Sequence, residues 1–318
     1  MSKRIEWIDV AKGILIMLVV LGHSAVSMET ELIINSFHMA AFFLLAGITI
    51  KFSESVSVFF TKRLKGLIVP YIILAIIYLG YQFMKCKVFG GYEFNLKSGM
   101  LSILFPVSGR ESTTVYGLWF LPCLFFVEVL VYLLERLHKI NRALSILVYI
   151  TGSLCCIFLS IKTETVSIIT IVPVAVLWLI CGIYVKNKIK NIYAHRIMVA
   201  IIAGVFFAIF TGANYYLSNV RFDLSSMTLG VWPLYILSGL SGTLFIICVS
   251  MQLENKKLLS NVGKDSLKYY GLHYEVLGIV DKIVNIGCIQ AVITLSVLWW
   301  IIRGYKKLKN YMGKIAKR

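Results

Sequence analysis

Charge is scarce in this sequence, and negative charge scarcest. Asp, Glu, Lys and Arg together make up 15% of the 318 residues, where a soluble domain carries about a quarter. Hydrophobic residues reach 59% and the mean hydropathy is +0.84. That excludes an ordinary soluble globular domain and points to a polytopic membrane protein. Only 15 acidic residues stand against 32 basic ones. The basic residues cluster between apolar runs, the placement of cytoplasmic loops, so no nucleic-acid partner is expected. Prolines number five and are isolated. No repeated halves or paired Gly/Pro-broken segments of a secondary transporter are seen. The seven cysteines (Cys86, Cys123, Cys155, Cys156, Cys181, Cys248, Cys288) lie mostly inside apolar runs, without metal-ligand or redox spacing. They read as small packing residues. No polar stretch is long enough for a soluble domain, and no linker or internal repeat interrupts the chain.

What is present is a succession of spanning windows of about 20 residues. They fall near 8–28, 33–50, 67–84, 116–134, 143–161, 166–185, 197–217, 226–251, 266–286 and 288–303. The fold class expected is therefore all-α, a single polytopic membrane domain over 1–318 with about ten transmembrane helices. Ten crossings put both termini on one side. With the termini inside, the inner segments hold 23 of the Lys and Arg residues and the outer ones seven, so both termini are expected in the cytoplasm of a cell-membrane protein. Lys3 and Arg4 before an apolar run imitate a secretory signal. The many later spans need a first helix to orient them, so 8–28 is read as a span. Residues 85–115 form the longest outer segment, apolar enough in the middle to lie on or re-enter the membrane. The basic tail from about 303 to 318 reads as an interfacial anchor on anionic lipid.

The first span, "WIDVAKGILIMLVVLGHS", carries Asp9, Lys12 and His23. Eleven residues at 100° each come within about 20° of whole turns, so Lys12 and His23 share a face, about 16 Å apart along the axis. Asp9 lies one turn below Lys12 and can pair with it. Snorkelling of Lys12 to headgroups and an interhelical hydrogen bond for His23 are the plain alternatives. Ionisable groups in membrane helices usually turn inward and serve function. His38, at the start of the second span, lies at the depth of His23. Two imidazoles there suit a base and its orienting partner. No carboxylate or cysteine completes a metal set at that depth, and no metal is expected.

At this point "WIDVAKGILIMLVVLGH", "FHMAAFFLLAG", "KRLKGLIVPY", "LWFLPCLFFVE" and "VGKDSLKYYGLH" resemble, in order, the motifs of the acyltransferase-3 family of integral membrane O-acyltransferases. Its fucose 4-O-acetylase-like branch is most similar. The resemblance covers nearly the whole chain. It implies ten helices and transfer of an acyl group, usually acetyl, from cytoplasmic acyl-CoA to a hydroxyl of an extracytoplasmic glycan, such as a surface polysaccharide or exopolysaccharide. The family's basic residue, ten residues and histidine match Lys12 and His23, with lysine where many relatives have arginine. Its second-helix pattern has a proline where Ala40 stands here, which leaves the bend of that helix open. The esterase-like domain fused to some relatives is not expected.

From these readings His23 is the expected general base on the acceptor hydroxyl, with His38 orienting it or binding the oxyanion; an acyl-histidine intermediate is a variant. Lys12, Lys62 and Arg63 are expected on the acetyl-CoA phosphates. His273, matching the last motif and placed nearer Lys12 than His23, is a cofactor-side or structural candidate. Trp119 and Phe120 offer an aromatic platform for a sugar ring, or belong to an interfacial belt. Glu128, deeper on that helix, is a substrate-side candidate or half of an interhelical pair. The rival function is a polytopic transporter or flippase of polysaccharide precursors. Membrane lipid is a partner in either case, and a homo-oligomer is compatible with both.

Overall fold

The computed structural model describes residues 5–52, 54–89, 95–104, 117–163 and 168–315. Lys3 and Arg4, and much of the 85–115 segment, lie outside them. Among the described residues the only β pairing is an isolated bridge between Asp223 and Thr228; the rest of the regular structure is helical.

The helices are α1 (Glu6–Gly22), α2 (Met28–Asn35), α3 (His38–Thr49), α4 (Val56–Arg63), α5 (Val69–Phe89), α6 (Leu96–Leu104), α7 (Phe120–Ile140), α8 (Arg142–Thr163), α9 (Ile168–Ala194), α10 (Arg196–Ser218), α11 (Trp232–Gln252), α12 (Lys257–Lys264), α13 (Ser266–Val280) and α14 (Gly287–Ile315). A π-helical turn, Leu64–Ile68, joins α4 to α5. Among the described residues six stretches are long and apolar enough to cross a membrane: Met28–Thr49, Val56–Val88, Ile168–Ala194, Arg196–Ser218, Trp232–Gln252 and Gly287–Met312. α1, with 17 residues, and α13, with 15, are shorter than the roughly 20 residues of an upright crossing.

Several boundaries differ from expectation for visible reasons. The eighth span starts at Trp232 instead of 226, because Asn219 ends α10 in a left-handed conformation and Gly230 turns at φ 64°. Pro233 then sits in the first turn of α11, where its missing N–H costs nothing. The third span begins eleven residues early, at Val56, where the Ser55 hydroxyl accepts from the Val58 N–H. α14 runs unbroken into the basic tail, to Ile315.

The second span breaks without a proline. Phe37 leaves helical geometry at φ −145°, ψ −24° between α2 and α3. The Ser36 hydroxyl donates to Ile33 O at 2.7 Å, and His38 Nδ1 lies 2.8 Å from Ile34 O. Side chains thus satisfy carbonyls that the broken ladder releases.

α1 is the hub, touching α3, α11, α12, α13 and α14. Leu15 packs with Leu44 and Ile247, while Ile16 and Val19 pack with Tyr269 and Leu298. A larger core joins Phe43 of α3, Val127 of α7, Trp178 of α9 and Tyr235 of α11. Two crossings are backbone against backbone. A Cβ on Gly47 would strike the Leu179 carbonyl, and one on Gly182 the Leu44 carbonyl, where α3 meets α9. Gly13 of α1 and Gly263 of α12 meet the carbonyls of Leu259 and Asp9 in the same way. Small residues at such crossings allow the close approach that membrane helices rely on for packing. Outward faces of α5, α8 and α10 are apolar, with Ile73, Ile76, Leu147, Leu154, Ile201 and Ile209 exposed, the surface a bilayer would cover.

Asp265 stands at the N-cap position of α13, yet its carboxylate makes no cap bond. It accepts from Lys268 at 3.0 Å and from Lys306 of α14 at 2.5 Å. Burial pushes the carboxyl up, but hydrogen bonds from Lys306 and Lys268 outweigh it and hold the group below its ordinary 3.8. A depressed carboxylate stabilises the fold above its unfolded pKa and loses that contribution as pH falls through the folded value. Acidification below about 3.8 is therefore expected to release the α14 tail from α13. Amide exchange over residues 303–312 should rise there, and Asp265→Asn should show the rise already at neutral pH.

Candidate active site

The stripe on α1 opens onto a cavity. Lys12, Ile16, Val19 and His23, spaced by four, three and four residues along one helical face, all line a space of about 340 Å3. The two ionisable groups expected to share a face thus share a single cavity. Its other walls come from α2, α3, α4, the π turn, α7, α13 and the loop before α11.

One end is basic. Lys12 and Arg63 are both within electrostatic reach of Glu128. Arg63 Nε and Glu128 Oε2 stand 2.8 Å apart, an ion pair rather than an aligned hydrogen bond, and the Arg63 guanidinium also stacks on Phe59 at 4.9 Å. Lys62 lines the same space and pairs with Glu54 at 2.5 Å. The π turn that follows Arg63 widens the helix by one residue, a device frequent at functional sites. Asp9 is buried one turn below Lys12.

The other end carries three imidazoles. His23 lies within electrostatic reach of both His273 and His38, and its ring stacks on that of His273 with centroids 5.4 Å apart. The Tyr274 hydroxyl is 3.0 Å from His23 Nε2 and 3.2 Å from Nδ1. One proton or lone pair serves one nitrogen at a time, leaving the other for a ligand. His38 and His273 each direct Nδ1 at a backbone carbonyl, of Ile34 at 2.8 Å and of Tyr270 at 2.7 Å. A carbonyl only accepts, so Nδ1 carries the proton in both, and the neutral ring presents Nε2 as a base. His273 Nε2 is buried and has no hydrogen-bond partner among the described residues.

Gly117 fixes Tyr274. At φ 93° it occupies a conformation that suits glycine, and any Cβ there would run into the Tyr274 ring. Its carbonyl accepts from the Tyr270 hydroxyl. The glycine therefore docks two tyrosines of α13 and, through Tyr274, sets where His23 stands.

A protein-family model for the acyltransferase domain matches residues 5–303 of the chain. This chain belongs to the acyltransferase-3 family. No curated protein and no solved structure matches it in the same comparisons.

In this acyltransferase two sequence placements need correction. His273 does not belong with Lys12: it stacks on His23 and completes the imidazole end, because α13 brings successive residues Tyr270, His273 and Tyr274 to one cavity wall. For Glu128 the interhelical-pair alternative is the one observed: it stands with Arg63 at the basic end, held there by the ion pair. His38 is not hydrogen-bonded to His23 among the described residues; its Nδ1 is occupied by Ile34, and Tyr274 partners His23 instead. Phe120 packs edge-on against Phe43 and Tyr270 and is largely core, while Trp119 reaches the cavity beside it. Tyr274, Gly117, Glu31, Arg221 and Asp223 were not singled out from sequence. Tyr274 was findable, since it adjoins His273 in "GLHYE"; Glu31 reaches the site from α2 and the others through loops.

Proposed function

We propose that the acyltransferase moves a short acyl group, acetyl foremost, from cytoplasmic acyl-CoA to a hydroxyl of an extracytoplasmic glycan such as a surface polysaccharide. In this reading α1, α7, α8 and α13 join the six long stretches to make ten crossings of the cell membrane, with both termini cytoplasmic. The observation that carries the reading is the single cavity with cations at one end and imidazoles at the other.

Lys12, Lys62 and Arg63 form the cationic end, suited to the phosphates of coenzyme A through charge-assisted hydrogen bonds. Glu128 fixes Arg63 in place. The thin pantetheine arm then lies along the α1 stripe past Ile16 and Val19, toward His23. There His23 accepts the proton of the acceptor hydroxyl as that oxygen attacks the thioester carbonyl. A C–O bond forms, the C–S bond breaks, and His23 returns the proton to the departing thiolate. The Tyr274 hydroxyl orients His23 by accepting from one of its ring nitrogens and can turn its own proton to the developing oxyanion.

The test is purified protein in proteoliposomes with labelled acetyl-CoA on one side and glycan on the other. Labelled ester on the glycan supports the proposal. Glycan movement across the bilayer without acyl-CoA use would instead favour a flippase. Lys12→Ala is expected to raise the KM for acetyl-CoA about tenfold, the loss of one charge-assisted contact, with a smaller change in kcat. An unchanged KM would remove Lys12 from the donor site.

A further inference from the structure

Beyond the imidazoles the cavity continues to a third set of polar groups: Glu31 and Asn35 of α2, and Arg221, Asp223 and Ser225 of the loop before α11. Arg221 lies within electrostatic reach of His23, and Asp223 of His38, so this set adjoins the transfer chemistry. Its charge is opposite to that of the Lys12 end. Two carboxylates face one guanidinium, and that guanidinium is already paired with Glu31.

The groups are held, and atoms remain open. Asp223 exchanges backbone hydrogen bonds with Thr228 at 2.9 Å in both directions, and its Oδ1 accepts from the Ser225 N–H at 2.8 Å and hydroxyl at 2.7 Å. Asp223 Oδ2 and the Asn35 amide take no hydrogen bond among the described residues. Independently, His273 Nε2 is a buried, unpartnered nitrogen on the same cavity. Burying such an atom costs free energy unless something supplies a donor. Trp119 adds an indole to the same walls.

Resting on the transferase reading above, we propose that this end is an acceptor site for a neutral or amine-bearing glycosyl residue, and that it rejects sugars bearing carboxylate, phosphate or sulfate. Sugar hydroxyls donate to Asp223 Oδ2 and His273 Nε2 and exchange both roles with Asn35. An anionic sugar meets uncompensated carboxylate and a guanidinium that Glu31 already holds, a repulsive element of the kind specificity needs. The cavity thereby sorts its two substrates by charge, the anionic donor to Lys12 and the uncharged or cationic acceptor to Asp223.

The experiment uses the reconstituted full chain with acetyl-CoA and four soluble methyl glycosides: a neutral hexoside, an aminohexoside, a hexuronide and that hexuronide's methyl ester. The neutral, amine-bearing and esterified glycosides are expected to be acylated, with the hexuronide at least about tenfold lower in kcat/KM. Asp223→Asn, which keeps an oxygen for Ser225, and Glu31→Gln should each narrow that gap. A hexuronide used as well as the neutral hexoside, or an ester as poor as its acid, overturns the charge-selective site while the transferase reading stands. Acetyl-CoA consumption with no glycoside acylated overturns the acceptor site alone. No consumption of acetyl-CoA in any arm overturns the transferase reading itself.

Discussion

Replacing His23 with alanine is expected to cut acyl transfer about a thousandfold while acyl-CoA still binds. A positioned general base contributes roughly 10²–10⁴ to rate, and no other group on α1 stands at that end of the cavity. The substitution should spare the fold. His23 is the C-cap of α1, its backbone N–H bonds to Val19 O at 3.1 Å irrespective of side chain, and its ring packs on the site's own residues, His273 and Tyr274. The readout is labelled ester formed per minute beside equilibrium binding of acyl-CoA in the same preparation. Transfer within threefold of the unaltered protein would dismiss His23 as the base. His38 and His273, each with Nδ1 committed to a carbonyl, would then be the imidazoles to vary.

The second large effect is on folding. Gly47→Val should abolish recovery of monodisperse protein from detergent. A Cβ at Gly47 meets the Leu179 carbonyl, and Gly182 opposite leaves no alternative, because its own Cβ position is filled by the Leu44 carbonyl. Backbone has no rotamer to yield, so α3 and α9 must separate. Overpacking of a tight core typically costs about 1–3 kcal/mol and sometimes more, and here a branched side chain faces main chain. α3 carries His38 and Phe42, so the cavity wall goes with it. Gly80→Ala on α5 is the control: nothing lies near its Cβ position, and it should leave thermal unfolding unchanged or slightly raised. A Gly47→Val protein that purifies and melts like the parent would show that the crossing relaxes.

The helical fold was legible because apolar windows are long and charge is sparse, and both are properties of single segments. The Lys12–His23 stripe was legible for a similar reason: helical spacing alone puts two residues on one face. What escaped was set by contacts between segments. His273 was misplaced although α13 starts at Ser266, where its window began: which residue of α1 it meets is set by how the two helices pack. Glu128 was readable as half of an interhelical pair, but that Arg63 is its partner was not, because the two lie on different helices. The break before His38 survives the missing proline because Ser36 and His38 bond the freed carbonyls, a solution that the motif alone does not announce. Glu31 and Asp223 were invisible as a pair, since they fall in two separate segments between spans and only the fold brings both to one cavity.

The wide turn at Leu64–Ile68 makes the cationic end a matter of phase. An α-helix advances about 100° per residue, and the π turn inserts one residue between α4 and α5. With that residue lost, Lys62 and Arg63 would rotate by about a quarter of a circle relative to the anchored α5. The guanidinium would swing off its carboxylate although every side chain remained. Positive charge at this mouth is therefore specified by counting as much as by chemistry, so a one-residue deletion in this turn is more disruptive than exchanging any single residue within it.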